Sequence, residues 1–296
     1  MKHDLEKIDN CTVCGESKFS QHLSCVDHNY SGDVFNIVCC ESCGFKFTNP
    51  RPKEKTVFKY YQSDDYISHT SSKKGLFNSA YHIVRNYQFK KKYSLINNLV
   101  KKEDRKILDV GSGTGEFLNY FKKKGWDVRG LETDDKARGF AISNFHCEVD
   151  KSIEQTLKKK EKFDVITLWH VLEHVYDVNG YLSKLKELLK DDGYIILGLP
   201  NCNSYDAKYY KEFWYAYDLP IHVSHFTKKD ISKLVNKYNF QSLTIKPLIF
   251  DAYYISLLSS KKLGSNLIKG VINGWLSNTK AKKSLEYSSL IYILKS

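Results

Sequence analysis

From residue 105 onward the chain alternates short apolar runs with amphipathic stretches. Ile107-Leu108-Asp109-Val110 and residues 126–131, 163–168 and 194–197 each read as a buried strand. A glycine cluster and a helix through Lys124 follow the first run, and a helix over 178–190, ending near Asp192-Gly193, separates the last two. Such alternation predicts a parallel sheet covered by helices on both faces. Residues 240–245 and 289–294 read as two closing strands. Upstream, Phe77, Ala80, Val84 and Tyr87, then Phe89, Tyr93, Ile96 and Leu99, recur at helical spacing across 76–100, with Lys90, Lys91 and Lys92 forming a wet basic face. The first fifty residues are short-stranded and rich in Cys, Asn, Ser and Gly. They end at Asn49-Pro50-Arg51-Pro52, where proline excludes helix. Three units result: 1–50, a basic helical connector over 51–104, and 105–296.

Composition narrows the class. With 296 residues, 42% of them hydrophobic, the chain can bury a core, and no apolar run approaches the ~18 residues of a membrane span. Peripheral membrane contact stays open. The N-terminus, Met1 to Glu6, is polar and acidic, without a secretory core, so a cytoplasmic, reducing location is expected. There the eight cysteines point to metal binding or burial rather than disulfides. The net charge of +12 is uneven: −3 over 1–50, +8 over 51–105 and +7 over 106–296.

The cysteines carry one clear signal, Cys11-Thr-Val-Cys14-Gly15 and Cys40-Glu-Ser-Cys43-Gly44. A two-residue gap lets both thiolates of a pair reach one tetrahedral ion, and the following glycine permits the tight turn behind the sulfurs. The pattern predicts a structural Zn2+ ribbon held by Cys11, Cys14, Cys40 and Cys43. Cys39 could replace Cys40, and His22, Cys25 or His28 could intrude; Cys147 and Cys202 read as packing residues.

A second signal, Asp109-Val110-Gly111-Ser112-Gly113-Thr114-Gly115, lies where the first strand turns into a helix. Glu132 ends the next strand, where a carboxylate can accept both ribose hydroxyls. A dinucleotide site would place Gly or Ala at 116; Glu116 there disfavours a pyrophosphate and suits a ligand with a ribose but no phosphate. ILDVGSGTGEFL resembles the first motif of class I S-adenosylmethionine-dependent methyltransferases, with Glu132 at their ribose-binding position. Residues 163–174 resemble the segment after their fourth strand, and 191–196 the approach to their fifth. The resemblance covers roughly 100–296. It implies an α/β, Rossmann-like seven-stranded sheet with an antiparallel last strand and S-adenosyl-L-methionine as cofactor, with Asp109, Gly111, Ser112, Gly113, Gly115, Glu132, Trp169 and His170 about the cofactor. The head resembles zinc ribbons that precede methyltransferase domains in bacterial sugar and surface-glycan pathways.

His170-Val171-Leu172-Glu173-His174 also matches the inverted zincin pattern, but a peptidase would leave the glycine loop and Glu132 without a role. After Leu199-Pro200-Asn201 comes an aromatic insertion (Tyr205, Tyr209, Tyr210, Phe213, Trp214, Tyr215, Tyr217) that closes with His222 and His225. It reads as a lid packed by its own rings or as an acceptor pocket. A sugar hydroxyl needs a base, and histidine is the natural one. The resemblance puts that role on His222 first, with His225 and His170 behind it. C-methylating relatives carry Glu-His there; Ile221 precedes His222 here, which favours O- or N-methylation. The expected acceptor is a small molecule or glycan intermediate, anionic to suit the basic connector. The alternatives are an RNA-directed methyltransferase, against which the ribbon's net negative charge argues, and a non-catalytic interaction protein.

Overall fold

A computed structural model describes residues 4–61 and 76–296, without the side chains of 76–83. The expectations for Met1 to His3, for the side chains of Phe77 and Ala80, and for the middle of the basic connector lie outside the described residues.

Strand β1 (Leu5–Glu6) is followed by a hairpin of β2 (Phe19–Val26) and β3 (Val34–Cys40), then β4 (Lys46–Thr48) and β5 (Arg51–Pro52), which pairs back onto β1. Helix α1 (Leu76–Leu99) leads into β6 (Lys106–Val110), α2 (Glu116–Lys122), β7 (Asp127–Leu131), α3 (Asp135–Phe145), β8 (Glu148–Asp150), α4 (Ile153–Lys158) and β9 (Phe163–Trp169). Then come α5 (Val178–Leu188), β10 (Leu189–Pro200), α6 (Tyr205–Tyr210), the short β11 (Ser224–His225), α7 (Lys228–Lys237), β12 (Ser242–Pro247), α8 (Ile249–Lys262), α9 (Leu267–Ser284) and β13 (Ser289–Lys295).

Seven strands form one sheet in the order β12-β13-β10-β9-β6-β7-β8, with only β13 antiparallel to its neighbours. Ile107, Leu108, Val165, Ile166, Ile195 and Ile196 are fully buried because helices cover both faces. The structure adds β8, too short to stand out as a run. It also extends the strand expected at 194–197 back to Leu189, so α5 stops at Leu188.

The ribbon does not close its own sheet. Its strands run β11-β4-β3-β2, and β11 comes from the far end of the aromatic insertion, pairing Ser224 with Phe47 and His225 with Lys46. Cys11, Cys40, Cys43, Phe45 and Phe47 share one apolar cluster with Phe226, Ile231 and Leu234 of the larger domain. Most of the insertion's rings serve this junction. Tyr210, Trp214 and Tyr217 are buried with Cys25, Phe35, Ile37 and Tyr60, and Trp214 Nε1 donates to Asp206 at 2.7 Å.

Candidate functional site

In the ribbon both knuckles have the same build. Gly15 N and Gly44 N each donate at 2.8 Å to the carbonyl four residues back, and both glycines take the left-handed conformation, φ +85° and +81°. The turns bring Cys11 Sγ to 3.6 Å from Cys43 Sγ and Cys14 Sγ to 3.5 Å from Cys40 Sγ, with all four sulfurs within 4.8 Å of one another. Tetrahedral thiolates around zinc stand roughly 3.8 Å apart, so the donor set fits Zn2+. Cys39 turns away, its thiol directed at Gly44 O, and so does not substitute for Cys40. Cys25 lies in the junction core, and His22 and His28 stand outside the cluster. Burial pushes the Cys11 thiol up to about 11 and raises Cys43 as well, so loading metal must expel protons.

The loop between β6 and α2 forms the second site. Gly111 and Gly115 adopt positive φ, and a Cβ would fall 2.5 Å from Val171 Cγ2 at the first and 2.7 Å from Ala141 Cβ at the second. Gly113 is also left-handed, but its missing side chain would point into open space. The loop is pinned by Glu132 at the end of β7, whose carboxylate accepts from Gly113 N at 2.7 Å and Asp134 N at 2.9 Å. Each oxygen keeps a lone pair for a further donor, as a ribose diol requires.

Beside the loop lies a cleft of about 200 Å³, walled by Phe89 and Lys92 of α1, Asp109, Gly111 through Thr114, Glu116, Phe117 and Trp169. Trp169 in its wall carries a buried Nε1 without a hydrogen-bond partner, whereas the unpartnered Ser112 Oγ turns back toward Gly130 of β7. Glu132 with its spare lone pairs, and Asp109 and Lys92 in the cleft wall, offer a diol acceptor and groups of both signs for a charged end. The residues present thus fit S-adenosylmethionine. Asp109 is buried and accepts from Thr167 Oγ1 at 2.6 Å; burial raises its carboxyl to about 7, with Thr167 and Lys92 acting against the rise.

Lys92 is a finding of the structure. The expectation of a wet face for lysines 90 to 92 fails at this position, where the ammonium stands 3.7 Å over the Trp169 ring and burial lowers it to about 8. Position 92 falls three residues after Phe89 and four before Ile96, on the helix face that packs, so the spacing itself held the signal. Val84 and Tyr87, expected inside, are exposed.

The three candidate histidines separate. His170 ends β9 in left-handed geometry (φ +57°), its Nε2 3.0 Å from Asp251 Oδ2 and its Nδ1 3.4 Å from Glu173 Oε1. Burial opposes its charge, but the two carboxylates outweigh it and hold its proton far above the ordinary histidine range. A histidine that keeps its proton at neutral pH is no general base. His222 is buried and donates from Nδ1 to Ala216 O at 2.9 Å, which leaves Nε2 a free acceptor; burial lowers its affinity for a proton. His225 Nε2 lies 3.1 Å from Thr48 Oγ1, and burial keeps it neutral.

His222 and His225 line, with Glu173, Cys202 and Trp214, an enclosed cavity of about 10 Å³ rather than the cleft. Glu173 is 1% exposed and neither carboxylate oxygen makes a hydrogen bond. Burial works against its charge, but His170 outweighs it and keeps the carboxyl low. His174, its ring edge-on to His222 at 4.5 Å, shares its Nδ1 between Tyr61 OH at 3.0 Å and Ile221 O at 3.2 Å. Glu173, His174 and His222 hold their donor atoms within 4.8 Å of one another, whereas His170 stays outside that group. Residues 172–174 form a 3-10 turn, so His170 and His174 do not share an α-helix face as the zincin pattern needs. Glu173, Asp251 and Thr48 had no separate signal as polar partners in the sequence, because their roles come from contacts between distant segments.

A family described as "Methyltransferase domain" matches residues 84–245. The ubiquinone biosynthesis O-methyltransferase of Rhodopseudomonas palustris (strain TIE-1) is 30% identical over 110 residues, 34% of this chain and 42% of that protein. The enzyme of the same name from Actinobacillus pleuropneumoniae serotype 7 is 34% identical over 108 residues, 33% of this chain and 46% of its own. The matched segment thus spans less than half the length of these relatives. Among solved structures, the plantazolicin methyltransferase BpumL with SAH aligns at a TM-score of 0.50 and 17% identity, covering 80% of this chain and 92% of that one. The cyclopropane synthase MmaA2 from Mycobacterium tuberculosis gives 0.50 and 15%, covering 70% and 83%. At these identities the structural likeness speaks to the fold.

Proposed function

The chain belongs to the methyltransferase domain family, and from that premise we propose an S-adenosylmethionine-dependent methyltransferase acting on a hydroxyl or amine of a small acceptor. The observation that carries the reading is the glycine loop pinned by Glu132 beside a 200 Å³ cleft lined by Asp109, Lys92 and Trp169. The cofactor, when bound, supplies a methyl group on a sulfonium. Glu132 would take the ribose hydroxyls. Asp109 and Lys92 would face the charged amino-acid end, with Ser112 and Trp169 in the wall beside it.

For O-methylation, the chain's own residues would have to hold the acceptor hydroxyl toward that methyl group, exclude water and take up the hydroxyl proton. We assign the base to His222. Its Nε2 is unprotonated and faces the same cavity as Glu173, whose buried carboxylate would stabilise the imidazolium that forms. The acceptor must open that enclosed pocket to reach it. A sugar or glycan intermediate is the acceptor class favoured, from the likeness of a ribbon joined to this domain to glycan-pathway enzymes; the similarity to O-methyltransferases supports O-methylation. The test is transfer of a tritiated methyl group to nucleotide sugars. His222→Gln should lower kcat by about a hundredfold or more with cofactor affinity unchanged; full activity in that variant would remove His222 from the mechanism.

A further inference from the structure

The hairpin of α8 and α9 is built inside out. Helix α9 turns Gly270, Asn273, Gly274, Ser277, Asn278 and Ala281 inward. It leaves Leu267, Ile268, Val271, Ile272 and Trp275 in solvent, Ile268 at 65% exposure and Trp275 at 55%. At 100° per residue these five apolar side chains fill an arc of about 140° beside the buried face. The inward glycines let the helices nearly touch: a Cβ on Gly270 or Gly274 would lie 2.8 Å from Leu257 Cα or Tyr253 Cα. A helix that buries small and polar residues and exposes large apolar ones marks a contact surface.

Charge decides what covers it. Residues 249–285 hold six lysines and one acid, Asp251, which is committed to His170. Lys261 and Lys262 end α8, Lys269 lies in the first turn of α9, and Lys282 and Lys283 in its last turn. A second copy docked on the same face would bring two lysine collars together, whereas anionic headgroups neutralise them. Among the described residues no helix is long and apolar enough to cross a membrane, so the face suits the interface of a bilayer.

We propose that the α8–α9 hairpin docks the protein on anionic lipid surfaces, with the apolar stripe at the acyl boundary and the lysines among the headgroups. This goes beyond the catalytic reading and does not depend on it. The full chain is sedimented with vesicles of phosphatidylcholine alone or mixed with phosphatidylglycerol. It should pellet only with the mixed vesicles and be released by salt. Ile272→Glu and Trp275→Glu, at exposed positions that leave melting unchanged, should each weaken partitioning by about tenfold or more. Replacing Lys280, Lys282 and Lys283 by Gln should weaken it severalfold. The proposal is overturned if the chain ignores anionic vesicles, if Ile272→Glu binds them as the parent does, or if light scattering finds a dimer that Ile272→Glu abolishes.

Discussion

Thr48→Val isolates the contact through which the ribbon holds the His222 segment. Thr48 is fully buried; its hydroxyl donates to His222 O at 2.7 Å and stands 3.1 Å from His225 Nε2. With its proton committed to the carbonyl, the oxygen accepts from His225. Valine keeps the shape but removes both bonds, stranding a buried carbonyl and a buried N–H at about 1–3 kcal/mol each. The extra buried methyl returns about 0.8 kcal/mol, so the net loss is about 1–5 kcal/mol. For a chain of this size that lowers Tm by roughly 2–10 °C. Glu132 and the glycine loop share no hydrogen bond with Thr48, so affinity for S-adenosylhomocysteine should hold while kcat falls. Scanning fluorimetry, calorimetry and the transfer assay read the three effects. A Tm within about 1 °C of the parent would refute the cost assigned to the two stranded groups, and a tenfold loss of cofactor affinity would refute the separation of the two sites.

Three further outcomes follow. Gly111→Ala forces a Cβ to 2.5 Å from Val171 Cγ2 at φ +69° and should cost about 2 kcal/mol or more and abolish cofactor binding; Val171→Ala should restore part of it, read by calorimetry on the single and double variants. His174, His222 and His225 are held neutral by burial, His174 down to about 4. Below the ordinary histidine pKa the unfolded chain therefore binds protons that the folded chain refuses. Stability should fall as pH drops from about 6.5 toward 4, by up to about 1.4 kcal/mol per histidine per pH unit, and flat urea midpoints between pH 7 and 5 would contradict this. Elemental analysis should find one zinc per chain. Chelation or Cys43→Ser should lower Tm and, through β4 and β11, methyl transfer as well.

Much of this was legible in the sequence. Of the four parallel strands, β6, β9 and β10 were visible as mostly apolar, buried runs, and β7 by Val128, Gly130 and Leu131 beside Asp127 and Arg129. The knuckles and the glycine loop were visible because their chemistry is local: two cysteines three positions apart, or glycines at alternate positions before a helix. What escaped depends on distant segments. The pairing of β11 with β4 joins residues almost 180 positions apart, and no periodicity announces it. Lys92 was hidden by its neighbours Lys90 and Lys91, although its spacing from Phe89 put it on the packed face. The α8–α9 hairpin escaped because its pattern is reversed: the usual rule sends Ile268, Ile272 and Trp275 inward, where Gly270 and Gly274 in fact lie. The aromatic insertion was ambiguous between lid and pocket, and most of its rings went to the ribbon junction.

The most direct test of the central claim is isothermal titration of the zinc-loaded chain with S-adenosylhomocysteine, run beside Gly113→Arg. Gly113 has open space where its side chain would stand, so arginine there fills the cleft without disturbing the packing behind the loop. The account predicts saturable one-to-one binding by the parent and none by the variant, which should still fold cooperatively and lose only the ~1–2 kcal/mol of a side chain in left-handed geometry. Absence of binding by the parent, or equal binding by the variant, would contradict it.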